Sequence, residues 1–165
     1  MKKNLIVIQE GMKSCGSACL SSIINYYGGH IPIEKLLEMT NTTKEGTNFY
    51  NIAKASEEIG LFAKGYKLAT IDKIKNTKMP FISQVIVNNY THFVVVYKIN
   101  NEIITIMDPA KGMVKMSTDD FRKIWTSYIL LIEPYKTLPL YYENNYLNDV
   151  IKNVIKDNSR ILKLF

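Results

Sequence analysis

Two cysteines lie near the start of this sequence, and the first of them is placed where a nucleophile could work. A thiol attacks as its thiolate, so a nucleophilic cysteine needs help in losing its proton. The free N–H groups and the dipole of a helix N-terminus favour an anion. Cys15 stands where a helix is predicted to begin, with Ser14 as N-cap and the small Gly16 beside it. Cys19 has apolar neighbours and is expected to be a core residue, which is the usual role of an isolated cysteine.

The thiolate also needs a base, and the sequence contains two histidines. His92 opens the β-branched run 91–96, and the end of a strand can face a helix N-terminus across a cleft. His30 follows Gly28 and Gly29 in a predicted turn, where a surface position is expected. His92 is therefore the candidate general base, with a half-buried structural histidine as the alternative.

Asp108 and Gln9 are the candidates for the supporting roles. A general base is oriented by a third group, and Asp108 ends the strand that follows the strand of His92. A hairpin of these two strands would bring both residues to its open end. The alternative is that Asp108 only starts an Asp-Pro turn. An anionic intermediate needs donors, for which the backbone N–H of Cys15 and the side-chain amide of Gln9 are candidates.

The elements that must position these residues fall into two groups. Helical periodicity predicts a helix from Cys15 to the Gly28 turn, a short one over 33–39, and a third from Thr47 as N-cap to Gly60. The third helix is expected to turn four residues inward: Ile52, Ala53, Ala55 and Ile59.

The second half of the chain is rich in β-branched residues. It predicts strands at 81–87, 92–99, 102–107 and 127–132, a hairpin turn at 100–101 and a short helix at 117–124. Helices followed by an antiparallel sheet indicate an α+β fold with separate layers.

Length and composition agree with a globular protein. The chain has 165 residues, of which 47% are hydrophobic and 22% charged, enough for an ordinary core. The segment 1–135 is predicted to be one domain. Residues 136–146 are expected to form a linker, and 147–165 an amphipathic helix. The N-terminal apolar run is too short for a secretory signal, and no stretch reaches the length of a membrane span.

The net charge of +6 is spread along the chain. Without a zinc pattern or a Gly-rich phosphate loop it indicates a solubilising surface and not a nucleic-acid partner. Free thiols fit a reducing compartment.

Three blocks of the sequence resemble the bacteriocin-processing cysteine peptidases, which are the N-terminal domains of peptidase-containing ABC transporters. The first block runs from Gln9 to Leu20 and contains the Gln-to-Cys-Gly signature. The second surrounds His92, and the third begins at Asp108. The resemblance covers about residues 5–134. One departure is Ser14, which stands where the family commonly has aspartate.

The resemblance implies a papain-like cysteine peptidase fold, with an N-terminal helical layer packed on a C-terminal antiparallel sheet. It implies a Cys15, His92 and Asp108 triad, with Gln9 as the oxyanion-hole donor. The implied substrate is a bacteriocin or lantibiotic-type precursor. Its leader would be cut after a double-glycine motif, Gly-Gly or Gly-Ala, and the freed peptide exported.

The same resemblance implies partners and location. In these transporters the peptidase precedes membrane helices and an ATPase, so the rest of the ABC transporter polypeptide is the expected partner, on the cytoplasmic side of the bacterial plasma membrane. ATP would serve only the ATPase domain, and no cofactor or metal is expected for the peptidase. The isolated domain is expected to be monomeric and the full transporter homodimeric.

A leader that forms an amphipathic helix would dock by its apolar side into an apolar groove. Six residues of the third helix and the segment after it are the candidates: Phe49, Tyr50, Ile52, Leu61, Phe62 and Tyr66. Core packing is the alternative for Ile52 and Leu61. Two other functions stay open: a non-catalytic domain that docks leaders or cargo, and a general papain-like protease.

Overall fold

The structure is a computed structural model that describes residues 4–11 and 13–141. Five helices and six strands follow one another in these residues: α1 Cys15–Tyr26, α2 Ile33–Met39, α3 Phe49–Ile59, β1 Leu61–Lys67, α4 Asp72–Lys75, β2 Phe81–Val87, β3 Tyr90–Asn100, β4 Ile103–Asp108, β5 Gly112–Ser117, α5 Thr118–Ile124 and β6 Trp125–Pro134. None of the helices in the described residues is long and apolar enough to cross a membrane. The helix predicted at 147–165 lies outside them.

The six strands form one antiparallel sheet in the order β1-β6-β2-β3-β4-β5. The prediction of helices followed by an antiparallel sheet is confirmed. The two edge strands, β1 and β5, were not predicted. Each pairs on one side only and carries lysines between its apolar residues, as edge strands commonly do, so the alternation that marks a strand is weak there.

Side chains that alternate along β3 fill a core on each face of the sheet. Phe93 and Val95 pack with the first three helices, whereas Val94 and Val96 point to the opposite face. Apolar residues of α4 and α5, among them Ile74 and Phe121, cover that second face. The predicted helical layer is therefore present, and the sheet has a second cover that the sequence interpretation did not include.

Tight turns set which residues meet at the ends of the strands. Asn88 and Asn89 both have positive φ and join β2 to β3, the geometry of a two-residue hairpin loop. The next turn falls at 101–102, one residue later than predicted, because Asn100 still pairs with Ile103. Asn101 has a φ of 53°, a conformation that asparagine tolerates. The start of β3 and the end of β4 therefore lie at the same end of the sheet.

The third helix begins one residue later than predicted. Its N-cap is Asn48, whose side chain accepts a hydrogen bond from the Asn51 N–H. Thr47 has another partner, since its hydroxyl donates to the Thr40 carbonyl at 2.6 Å. The helix ends at Gly60 in the left-handed conformation, as predicted.

The chain continues to pack on this body beyond β6. Leu138 is buried in the first core, although a linker was predicted from residue 136. The His30 N–H donates to the Pro139 carbonyl at 2.9 Å, and the Tyr141 N–H donates to the His30 carbonyl at 2.7 Å. His30 is thus partly buried and not simply a surface residue. The domain boundary at 135 stays a prediction, but the packed part reaches at least Tyr141.

Candidate active site

The end of the sheet brings His92 and Asp108 into direct contact. His92 Nε2 lies 2.8 Å from Asp108 Oδ1; the Asp108 side chain is buried and that of His92 is partly buried. Asp108 Oδ1 also accepts a hydrogen bond from the Ala110 N–H at 2.9 Å, which fixes the carboxylate. The Cys15 thiol lies close enough to the same imidazole to raise its pKa. Because Nε2 is held by Asp108, Nδ1 is the nitrogen that remains for the sulfur.

This contact governs the charges of the pair. Burial lowers the pKa of His92, but the hydrogen bond to Asp108 and the neighbouring Cys15 outweigh it and raise that pKa to about 9. Burial likewise raises the pKa of Asp108, and the hydrogen bonds from His92 and the Ala110 N–H reverse the effect and hold it below its ordinary value. The pair therefore favours a protonated imidazole beside a carboxylate.

Cys15 is the first residue of α1, as the sequence predicted. Ser14 occupies the N-cap position, but its hydroxyl does not cap the helix; it donates to the Glu10 carbonyl at 2.7 Å. The first-turn N–H groups are thus not used by the N-cap side chain, and they favour negative charge near the sulfur.

The second cysteine lies deeper in the same helix. Cys19 is completely buried in the first core, where burial raises the pKa of its thiol and nearby Cys15 and Asp108 raise it further. A neutral, inaccessible thiol is a core residue, which agrees with the expectation for Cys19.

Gln9 lies beside these residues in the extended segment before α1. Its backbone N–H donates to the Pro109 carbonyl at 2.9 Å, which ties it to the turn after Asp108. Its side-chain amide donates to the Gly11 carbonyl at 2.7 Å and lines the same cleft as Cys15. An amide group carries a second proton, which this hydrogen bond does not use.

A cleft of about 500 Å³ is lined by all four predicted catalytic residues: Gln9, Cys15, His92 and Asp108. It has a volume typical of ligand sites. One wall comes from the loop before α3, through Glu45, Gly46 and Thr47. The other wall comes from the β2–β3 hairpin and the start of β3, through Val87, Tyr90, Thr91 and Phe93. The remaining lining residues are Lys13, Ala110 and Lys111.

None of the six predicted leader-contacting residues lines this cleft. Ile52 and Leu61 are completely buried core residues, so a docked peptide cannot reach them, and their assignment is corrected. Their helical and strand periodicity faces the core, which is the alternative that the sequence left open.

The other four candidates cannot form one groove. Phe62 and Tyr66 alternate with Leu61 and Ala63 along β1, so they point away from the helical layer. Phe49 and Tyr50 start α3 on the helical side. Phe49 packs on Phe93 with ring centroids 5.0 Å apart and so lies behind the cleft wall, while Tyr50 is exposed. Of these two places, the first turn of α3 lies next to the cleft, and the outer face of β1 does not.

Sequence reasoning missed both walls of the cleft. The paired asparagines at 88–89 were an available hairpin signal, and they would have placed Tyr90 next to His92. No local signal marks Lys13 or Glu45, because loop residues are brought to the site only by the packing of α1 against α3.

Most of the described residues match one protein family. Residues 3–137 match the Peptidase C39 family. Over its full length the chain is 34% identical to the lactococcin-G-processing and transport ATP-binding protein LagD of Lactococcus lactis subsp. lactis, of which it spans 24%. The chain therefore covers about a quarter of the length of this relative.

Two solved structures are similar to this chain in fold. A double glycine motif protease from an AMS/PCAT transporter, in complex with the leader peptide, has a TM-score of 0.73 and 32% identity over 78% of this chain and 90% of that one. The peptidase domain of Streptococcus ComA, a bi-functional ABC transporter, has a TM-score of 0.72 and 30% identity over 78% of this chain and 97% of that one. The papain-like fold is thereby confirmed. The chain belongs to the Peptidase C39 family, a family of cysteine peptidases.

Proposed function

We propose that this chain is a thiol endopeptidase that removes the leader from a bacteriocin or lantibiotic-type precursor after a double-glycine motif. The observation that carries the proposal is that Cys15, His92 and Asp108 line one cleft, in which His92 and Asp108 are joined by a hydrogen bond. The processing relatives and the leader-bound neighbour supply the substrate class.

The chemistry needs only groups of the chain itself and a water molecule. The Cys15 thiolate attacks the carbonyl carbon of the second small residue, and the Cys15 N–H and the Gln9 amide stabilise the resulting oxyanion. The protonated His92 then gives its proton to the leaving amine, which frees the mature peptide. Water, deprotonated by His92, hydrolyses the thioester and restores the enzyme, while Asp108 keeps the imidazole oriented.

The same proposal extends to the setting of the domain. We propose that it works without cofactor, on the cytoplasmic side of the plasma membrane, as the peptidase part of an ABC exporter. The support is that the processing relatives are transport proteins several times longer than this chain. A monomeric isolated domain and a homodimeric transporter are part of the proposal.

The test is cleavage of a synthetic precursor whose leader ends in Gly-Gly, followed by mass spectrometry of the products. We expect one cut, after the second glycine, and none with Cys15→Ala. Binding without a cut would support a docking domain. Equal cutting of an unrelated unfolded protein would support a general protease.

A further inference from the structure

Three hydroxyl groups beside the cleft contact one another in a closed set, which we call the hydroxyl triangle: Ser17, Thr40 and Thr42. The Ser17 hydroxyl lies 2.8 Å from that of Thr40 and 2.9 Å from that of Thr42, and the last two are 2.8 Å apart. Ser17 and Thr40 are completely buried. Ser17 belongs to the same helical turn as Cys15, so the triangle joins that turn to residues 40–42.

The triangle is fully engaged by its own members and one carbonyl. Each hydroxyl donates one proton and can accept two. Thr40 donates its proton to the Leu36 carbonyl at 2.7 Å, so Ser17 and Thr42 supply the two protons available for the three contacts of the triangle. Buried networks whose members are satisfied hold their parts rigidly. Removing the Ser17 hydroxyl would remove both contacts by which the triangle joins α1 to residues 40–42.

The triangle is continuous with one wall of the cleft, formed by residues 43–47. The Thr47 hydroxyl donates to the Thr40 carbonyl at 2.6 Å. Thr43 and Gly46 exchange two backbone hydrogen bonds of 3.0 Å, which close the loop on itself. Glu45, Gly46 and Thr47 line the cleft directly. Any shift of residues 40–42 is therefore passed on to this wall.

The wall packs so closely against α1 that there is no room for a side chain at Gly16. A Cβ on Gly16 would overlap the Thr47 methyl and come within 3.0 Å of the Ile52 Cδ1. Packing against Gly16 resists movement of the wall toward α1, and the hydroxyl triangle resists movement away from it. The space beside Cys15 thus has a fixed width that depends on the triangle.

We propose that Ser17, Thr40 and Thr42 are positioning residues that set the width of the channel beside Cys15 and thereby its preference for small residues before the scissile bond. This inference rests on the proposed function, because it assumes a substrate with small residues there. A rigid wall excludes a larger side chain by overlap. A wall freed from the triangle can shift outward and admit it.

Selectivity is the measurement that tests this. Two leader peptides that differ only in ending Gly-Gly or Gly-Val are compared by kcat/KM. Pocket discrimination between such side chains is roughly 10–200-fold for each methylene-sized difference. We expect the Gly-Gly preference to fall about tenfold or more in Ser17→Ala and in Thr42→Val, as part of that discrimination is lost. Thr42→Ser, which keeps the hydroxyl, should retain the wild-type preference.

Ser56→Ala is the matched control. Ser56 is also completely buried, and its hydroxyl donates to the Ile52 carbonyl at 2.7 Å, but it does not touch the triangle or the cleft. It should lower the melting temperature as the other variants do and leave selectivity unchanged. An unchanged preference in Ser17→Ala overturns the proposal, and so does an equal loss in Ser56→Ala. If Thr42→Val does not fold, Ser17→Ala decides alone, since alanine suits a helix.

A second readout separates this inference from the proposed function. The rates at which iodoacetamide and its bulkier N-phenyl derivative alkylate Cys15 are measured by peptide mass mapping. Iodoacetamide should react faster than the bulkier reagent in wild type, and the ratio of the two rates should move closer to one in Ser17→Ala. This change is expected whether or not a leader is cut. If wild type cuts no leader but the ratio narrows, the proposed function fails and the channel inference stands. If wild type cuts the leader but the ratio stays the same, the channel inference fails and the proposed function stands.

Discussion

His92 and Asp108 are sixteen residues apart in the chain, yet their side chains meet at 2.8 Å across the open end of the β3–β4 hairpin. The carboxylate is buried and takes a second hydrogen bond from the Ala110 N–H, so it cannot turn away from the imidazole. Because Asp108 occupies Nε2, it determines both the tautomer and the direction of the nitrogen that faces Cys15. The predictions that follow depend on this relationship.

The two cysteines should behave differently. Cys15→Ala should abolish leader cleavage, because no other accessible thiol lies in the cleft among the residues described. Cys19→Ala should keep most of the activity and lose some stability, since it leaves a small cavity in the core. Iodoacetamide should modify Cys15 first, as peptide mapping would reveal. Modification of Cys19 ahead of Cys15 would reverse the assignment.

The pKa of His92 predicts the alkaline side of the pH profile. The imidazolium must be protonated to serve the leaving amine, so kcat/KM should fall as pH rises through about 9. His92→Ala should be nearly inactive at every pH, whereas His30→Ala, which keeps the backbone hydrogen bonds of that position, should resemble wild type. An active His92→Ala enzyme would rule out the mechanism.

Replacement of Asp108 should shift the pH profile of kcat/KM as well as lower the rate of cleavage. Asp108→Asn should remain measurably active, because the carboxylate orients and does not transfer a proton; in the serine triad the same change costs about 10⁴ in kcat. Without the carboxylate the pKa of His92 falls, so the alkaline limb should shift to lower pH. A reduced rate with the limb still near pH 9 would show that Asp108 acts only on folding.

The same pair links stability to pH. The pKa of His92 is raised in the folded protein. Its contribution to folding stability is therefore complete below the ordinary histidine pKa of 6.5 and is lost as pH rises through about 9. The pKa of Asp108 is lowered, so its contribution is present above its ordinary 3.8 and lost as pH falls below that value. The melting temperatures of wild type and Asp108→Asn should therefore differ most between these limits and converge above pH 9. A constant difference would contradict the ion pair.

Gln9 should contribute one oxyanion donor. Gln9→Ala should lower kcat by roughly 100-fold, the size typical of one lost donor, with little change in KM. Gln9→Glu is the matched variant, because it keeps the shape and removes the N–H donor. If Gln9→Glu were as active as wild type, the donor would have to be another group.

Leader binding should depend on contacts beyond the cleft. A full leader should be cut far better than a short peptide spanning only the two glycines, because remote contacts position the scissile bond. Tyr50→Ala should weaken cleavage of the full leader alone, since Tyr50 is exposed in the first turn of α3. Phe62→Ala, on the opposite face of the sheet, is the control. Equal rates for both substrates would mean that no leader groove exists.

Local sequence patterns were enough to predict α1, α2 and the strands β2, β3, β4 and β6, because each carries a local signal, either apolar residues at helical spacing or a β-branched run. They were also enough to single out Cys15, His92 and Asp108. A cysteine at a helix start and an aspartate one hairpin away from a histidine are short-range features of the chain. The predicted hairpin was the basis for expecting His92 and Asp108 to meet, and its turn lies one residue from the predicted place.

Only the tertiary structure decided what surrounds those residues. The cleft walls, Thr47 on one side and Tyr90 on the other, belong to segments that meet because α1, α3 and β3 share one core. The separation of Tyr50 from Phe62 depends on which face of the edge strand β1 is covered. The hydroxyl triangle joins residues more than twenty positions apart. Local periodicity records which side chains are buried, but not which partners they meet, because those contacts are fixed only when distant elements pack together.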